Sequence, residues 1–386
     1  MPINFTESKI KKKIKEIFTE IKENPKWQIG ILLIIISIIV LAAVIVLFVI
    51  PSQYRINLSS LPKRNYAIDV NEYKGANINA PVAKISERHL DGLMVATSDA
   101  NKVPICVMIE NAAFSGVRPQ SGLAAASIVY EVIVEGGITR LMAVYGGEQT
   151  DPVGPVRSAR DTYIEFASEY NCMYTHAGGS ETAMAAIDGL KMRNLDALRE
   201  PKYFWRDDGK VSPHNLFTKI SNLEDAASNG HSWKDESAYT TWLFREDNPN
   251  RKKAGDSGYV SDLVIEFGGA YDVEYKFNEN NNNYERYDGG DAHIDSNTGK
   301  ILTARHVIVE KVPAGWYLEG KGRINFAVTG EGEADIFQEG EVIVGKWKKP
   351  NRLSRTMYYD GNGNEIEFIR GNTWVEIVPD GYGVKW

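Results

Sequence analysis

IVYEVIVEGGITRLMAVYGG, residues 128–147, sets two apolar runs on either side of Glu135-Gly136-Gly137. Both runs are rich in the β-branched and aromatic side chains that suit a pleated, buried surface. The paired glycines supply the positive φ that a tight connection or bulge between strands needs. Outward from this pair, ICVMIE (105–110) reads as another buried strand, and a short Ala-rich helix is expected after Pro119. Downstream, the pattern predicts a helix over 157–170, a strand at CMYTH (172–176) and a helix opening near Ser180. Strands alternating with helices argue for an α/β layered domain, assigned to residues 101–235.

Past residue 260 the pattern changes to strands and turns, including DLVIEFGG, VEYKF, ARHVIVEKV, EVIVGKWKK and NTWVEIV. Turn signals recur at intervals of about ten residues, among them GNGN and the Asn-rich stretch 278–283. This predicts a mainly β C-terminal domain over 255–386, so the fold class is α+β overall. The Ser-, Asn- and Lys-rich stretch 226–260 reads as the joint, although Trp233, Trp242 and Phe244 imply that it packs on something. No internal repeat is visible.

Residues 29–50 are apolar from Ile29 to Ile50 apart from Gly30 and Ser37. Such a run, at about 1.5 Å per residue, matches a hydrocarbon core about 30 Å thick, so a single transmembrane helix is expected there. It exceeds a signal-peptide core, and no small-residue cleavage pattern follows before Pro51, so the anchor is read as uncleaved. Residues 1–28 carry seven lysines against four glutamates. By the positive-inside rule this tail is cytoplasmic and everything after Pro51 lies outside. Ile10, Ile14, Ile17, Phe18 and Ile21 recur among the lysines, which fits either a basic amphipathic helix on the inner membrane face or a polar tail that only sets orientation. Residues 51–100 read as a tether that spaces the external domains from the membrane.

The chain carries −7 overall, and the basic tail accounts for +3 of opposite sign, leaving the external part at −10. That balance argues against a nucleic-acid partner. Only Cys106 and Cys172 occur, both in apolar runs. An external location permits a disulfide, but free cysteine is among the most buried residue types, and two buried free thiols are the expectation.

Against that acidic background, GPVRSARDTY (154–163) places Arg157 and Arg160 one helical turn apart after a Gly-Pro turn. If Ser158 caps a helix in an S-x-x-D pattern, both arginines sit in its first turn, where the positive end of the dipole repels them. A bound phosphate or carboxylate would relieve the conflict; salt bridges to Glu131, Glu135 or Asp161 would do the same. THAGGSET (175–182) puts Gly178, Gly179 and Ser180 between a strand and a helix, where backbone amides approach an anion readily, or where the glycines simply make a tight turn. Arg118 in RPQSGL and Arg140 after the double-Gly turn are further candidate ligand contacts. His176 at a strand end and His214 beside Asn215 in SPHNLF are candidate general acid–base groups. A third metal ligand at recognisable spacing is missing from the sequence, so no zinc site is assigned, and nothing identifies a cofactor.

VMIEN, RPQSGL, IVYEVIVEGGITR, VGPVRSAR, HAGGS and SPHNLF, in that order, resemble the YerB-like lipoprotein family of Gram-positive envelope proteins. GRINFAVTGEGEADIFQEGEVIVGKWKK and GNTWVEIVP resemble that family's C-terminal β domain, so the likeness runs from about residue 85 to the C-terminus. It implies an extracytoplasmic envelope protein without a settled activity; members often carry a lipobox Cys where this chain has an apolar span. A more distant resemblance, to the LytR-CpsA-Psr glycopolymer transferases, rests on Ala159-Arg160-Asp161-Thr162 and on Thr175-His176-Ala177-Gly178-Gly179. It implies that Arg160 contacts pyrophosphate and that Asp161 helps hold a divalent ion, while CMYTH departs from that family's lead-in to the glycines. Three readings follow. The protein binds an anionic envelope ligand, such as a lipid-linked or polymeric cell-wall precursor, in wall or glycopolymer assembly; or it is a non-catalytic scaffold recruiting cell-wall enzymes through Trp347 and Trp374; or it is a hydrolase using His176 and His214. Whether it is an enzyme stays open.

Overall fold

The computed structural model describes residues 84–113, 116–234, 239–318 and 322–386. The expected cytoplasmic tail, the span at 29–50 and the tether up to residue 83 lie outside the described residues. Among the described residues, no helix is long and apolar enough to cross a membrane.

Strands β1 (Ile105–Glu110), β2 (Ile128–Ile133) and β3 (Thr139–Tyr145) are buried at every position. Both of their faces are covered, which is why they read as continuous apolar runs without alternation. β3 pairs antiparallel with β2 on one side and with β1 on the other. Gly136 and Gly137 in the β2–β3 connection both have φ of 72°, the region that side chains resist. Helix α1 (Asp161–Tyr170) leads to β4 (Met173–His176), parallel to β1. Helix α2 (Glu181–Leu190) leads to β5 (Asn194–Asp196), parallel to β4.

Helix α1 begins at Asp161, later than the 157–170 expected, with Arg160 in the extended cap position and no side-chain cap. The residues before it are held by extended pairing instead. Val156 bridges Ile109 and Ala159 bridges Gly179, while the Arg157 amide donates to the Met108 carbonyl. Ser158 therefore does not cap the helix. The Ala-rich helix expected after Pro119 reduces to a single 3₁₀ turn, Leu123–Ala125. Ser180 does cap α2: its Oγ accepts from the Ala183 amide at 3.1 Å.

In the C-terminal half, β6 (Asp262–Glu266), β7 (Val273–Asn278) and β8 (Asn283–Asp288) form an antiparallel meander. Four further strands follow: β9 (His306–Val312), β10 (Gly330–Gln338), β11 (Glu341–Lys349) and β12 (Met357–Asp360). The last two are β13 (Thr373–Pro379) and β14 (Gly383–Lys385), the latter closing the meander against β6. The fold class is thus mixed α+β, mainly β toward the C-terminus. The two halves share one sheet, however. Its ten strands run in the order β12-β11-β10-β9-β13-β2-β3-β1-β4-β5, with β13 parallel to both β9 and β2. The meander, with Tyr275 and Tyr284, joins the core on one face of this sheet alongside Val107, Val129 and Trp374. Tyr163 and Phe166 of α1 pack on the other face with Met108, Tyr130 and Trp347.

Three expectations are corrected by this packing. Residues 84–100 are no tether: Ile85–Glu87 pairs with Met94–Ala96, Leu90 is buried, and Arg88 forms an ion pair with Asp91. Trp347 and Trp374, expected as partner anchors, are core residues with 1% and 0% exposure. Trp347 Nε1 donates to the Lys311 carbonyl, and Trp374 lies 4.3 Å beneath the Arg286 guanidinium. Cys106 and Cys172 are not free thiols but a disulfide, because parallel pairing of β1 with β4 sets the start of one strand beside the entry to the other. The joint at 226–260 does pack, as its tryptophans implied: Trp242 is buried with Nε1 donating to the Thr356 carbonyl, and Leu243–Arg245 pairs with Glu367–Ile369.

A sheet continuous through both halves should unfold in one step. Urea unfolding followed by tryptophan fluorescence and by far-UV circular dichroism is expected to give coincident transitions, whereas two separated transitions would show two independent domains. The Cys106→Ala, Cys172→Ala pair should lower stability by about 2–4 kcal/mol in the same assay, through the entropy returned to the unfolded chain.

Candidate ligand-binding site

Strand β1 ends at Glu110, and the side chains of Glu110 and of Asn111, which follows it, serve opposite faces of the sheet. Each organises a polar cluster. On the α1 side, Glu110 is buried; its Oε2 lies 3.1 Å from Arg157 Nε and both its oxygens lie 2.9 Å from His214 Nδ1. Arg160, at the cap of α1, turns its Nε onto Glu135 Oε1 at 2.7 Å and its Nη1 onto the Ala159 carbonyl. Arg323 Nε lies 3.8 Å from the same Glu135 oxygen. Behind them Arg140 is buried, its Nη1 donating to the Ser158 carbonyl and its Nε without a hydrogen-bond partner.

Four guanidinium groups therefore gather at the start of α1 around two carboxylates. Burial, then the like charges of Arg160 and Arg157, bring Arg140 down to about 10. Burial would raise Glu135, but Arg160, the backbone and Arg140 together hold its carboxyl below its usual range. The salt-bridge alternative weighed for Arg160 is thus present, through Glu135; Arg157 takes Glu110, a partner the sequence pattern had not suggested.

Other expected contacts are engaged in holding the fold. The Gly178 amide donates to Asp196 Oδ1 at 2.8 Å, and the Ser180 amide to the Ala159 carbonyl at 3.4 Å, so these two do not face a ligand. Close packing rather than anion contact explains Gly179, since a Cβ there would lie 2.9 Å from Met184 Sδ. Asp161 Oδ2 accepts from the Ser180 and Thr182 hydroxyls at 2.8 and 3.0 Å, tying α1 to α2. Ser158 Oγ donates to the Ala177 carbonyl. Asn215 braces its own loop, with Nδ2 to the Asp207 carbonyl and Oδ1 to Arg206.

The two histidines meet different partners. His176 is fully buried, with Nδ1 2.8 Å from the Gly178 carbonyl and Nε2 2.6 Å from the Asn194 side-chain amide. Burial lowers its pKa against the pull of Asp196, and its two nitrogens face Gly178 and Asn194 rather than a ligand. His214, bonded to Glu110, is the histidine that belongs to the arginine cluster.

On the meander side, Asn111 lies within hydrogen-bond reach of Glu131, Thr139 and Asp288, and accepts from Arg118 and Gln120. Arg286 of β8 pairs with Glu131 and lies 3.6 Å from Asp288. Glu376 accepts from Tyr275 at 2.5 Å. Burial and the neighbouring Glu131 push Glu376 well above the carboxylate range. Arg118 is fastened to Asn111, to the Ala270 carbonyl and to Asp288. A lone Glu in each apolar run, as in IVYE and VIVE, was the available signal for Glu131 and Glu135. Arg286 and His293 sit in alternating polar sequence and gave no such sign.

Comparison with known proteins adds a family. Residues 90–233 match the N-terminal domain model, and residues 263–375 the C-terminal domain model, described as protein of unknown function (DUF3048). The chain is 29% identical over 305 residues to "Putative lipoprotein YerB" of Bacillus subtilis strain 168, covering 77% of this chain and 88% of that one. It is also similar to the crystal structure of the YerB protein from Bacillus subtilis, with a TM-score of 0.69 and 26% identity over 78% of this chain and all of that one.

Replacing Glu135 by Gln removes the carboxylate that Arg160 and Arg323 share. The variant should lose about 1 kcal/mol at pH 7 in urea unfolding, a small value for a site that water still reaches. Because the folded-state pKa of Glu135 is depressed, this contribution is present above the unfolded value near 4.5 and fades as pH falls through the folded one. Parent and variant should therefore converge in acid; a difference that persists or grows there would show that the ion pairs do not set it.

Proposed function

We propose, from the premise that this chain belongs to the DUF3048 family of YerB-like proteins, that it binds a phosphorylated envelope ligand at the arginine cluster. In this reading residues 29–50 anchor the chain with its N-terminus inside, and the folded body works outside, in cell-wall or glycopolymer assembly. The observation that carries it is the charge imbalance at the start of α1. Arg140, Arg157, Arg160 and Arg323 meet Glu110 and Glu135, the third carboxylate there, Asp161, is turned to the Ser180 and Thr182 hydroxyls, and Arg140 keeps a buried Nε with no acceptor. An uncapped helix start adds amides of the same polarity. A phosphate would take the surplus donors in charge-assisted hydrogen bonds, beside His214. The salt bridges hold the side chains in place before the ligand arrives.

A scaffold role keeps one observation in its favour. Trp316 and Tyr317, 47% and 74% exposed, stand on a hairpin whose other strand carries Arg323, a surface suited to a partner.

The test uses the full chain in detergent micelles, with inorganic pyrophosphate and a polyprenyl phosphate as probes. Arg157→Ala with Arg160→Ala should weaken binding of both by about tenfold or more while Tm stays close to the parent's, since two charge-assisted hydrogen bonds are lost. Unchanged binding would remove the anion reading and leave the scaffold. Loss of Tm together with binding would make the arginines structural.

A further inference from the structure

We infer that the cleft between the Arg118-Pro119 loop and residues 288–294 is a binding site for a small organic ligand carrying a primary ammonium group. The cavity is about 500 Å³ and is lined by Arg118, Pro119, Ala270, Asp288, Asp291 and His293, among others. That size is in the range of small-molecule pockets.

Asp288, one of the lining residues, carries an unanswered acceptor. Asp288 Oδ2 takes all the nearby donors: Asn111 at 3.1 Å, Arg118 at 3.0 Å, and the Arg286 guanidinium at 3.6 Å. Asp288 Oδ1 is buried without a hydrogen-bond partner, although the side chain is only 1% exposed. An unpaired buried acceptor is unfavourable, and a donor from a ligand would relieve that cost. The cleft's own donors are directed elsewhere. Arg118 is held by Asn111, Asp288 and the Ala270 carbonyl, while His293 contacts Gln120 and Arg286 through its two nitrogens. Burial, against the pull of Arg286, raises Asp288 to about 6, a shift that an adjacent cation would oppose.

Charge and shape narrow the class. Asp291 stands exposed on the same cleft and, among the described residues, forms no ion pair, so both free acceptors repel an anion. No three acidic, histidine or cysteine side chains converge on a metal position among the described residues. An ammonium concentrates three N–H donors on one compact atom and so can serve the Asp288 oxygen and Asp291 together, whereas a guanidinium spreads its donors over a fixed planar fork. The site is organised by Asn111 and the meander, on the other face of the sheet from the arginine cluster, and does not rest on the anion reading.

The test compares cyclohexylammonium with cyclohexanol, alike in shape and different in charge at pH 7.5, by calorimetric titration of the full chain in micelles. The ammonium should bind about tenfold or more tightly than the alcohol, the difference expected for one charge-assisted hydrogen bond. Asp288→Asn should abolish the preference. Because that residue is buried, two surface variants guard against misfolding. Ala292→Trp, which fills the cleft, should remove binding, and Asp291→Asn should weaken it about threefold, both at unchanged Tm. Equal affinity for the two probes, no saturable binding of the ammonium, or binding unaffected by Ala292→Trp would each overturn the proposal.

Discussion

Strand β13 enters the sheet between β9 and β2, parallel to both, although more than two hundred residues separate it from β2. Backbone hydrogen bonding leaves little choice about this. Without β13, β2 would present an open apolar edge, which natural sheets avoid exposing. With it, Glu376 lies directly beside Glu131 on one buried rung. Two adjacent carboxylates in a low dielectric cannot both stay charged without a cation. The protein answers with Arg286 from β8, seated over the Trp374 ring, while burial beside Glu131 pushes the Glu376 carboxyl upward, toward its neutral form. Packing the meander on that face delivers Arg286, so strand order, burial and charge balance form one arrangement. Removing one partner of such a buried set costs about 3–5 kcal/mol.

The same arrangement creates both polar sites. Neighbouring side chains at the end of β1 point to opposite faces, so Glu110 serves the arginine cluster and Asn111 the Glu131–Arg286–Asp288 network. A cluster of like charge is tolerated at the start of α1 because that end borders solvent; Arg157 and Arg160 keep 23% and 16% of their side-chain surface exposed. On the meander side one oxygen of Asp288, a residue that lines the cleft, remains unanswered.

Much of the candidate site was legible as residue types and little of it as partnerships. Arg157, Arg160 and Arg140 stand out as cations beside glycine turns in an acidic chain, and His214 as a loop histidine beside Asn215; all four do assemble. Gly178 and Ser180 stand out as amides at a glycine turn and Asp161 as the acid of the S-x-x-D pattern, yet Gly178 is tied to Asp196 of β5 and Ser180 to Asp161 between the two helices. The misplaced start of α1 has a plain cause: local S-x-x-D chemistry favoured a cap at Ser158, while bridges from Val156 to Ile109 and from Ala159 to Gly179 held that segment extended. His176 looked like a titrating group until its depth and its two partners were known.

Local pattern determined the strands, because apolar runs and turn chemistry act over a few residues: β1, β2, β3 and β4 appear where the sequence placed them. It also determined the family, through ordered motifs, and the expectation of a membrane span at residues 29–50, which hydropathy alone supports. Only the tertiary structure decided that two apparent domains share one sheet, that Cys106 bonds Cys172, and which acid answers which arginine. Those are contacts between residues far apart in the chain, set by strand order and by the burial of charge. No window of sequence contains the distances on which either depends.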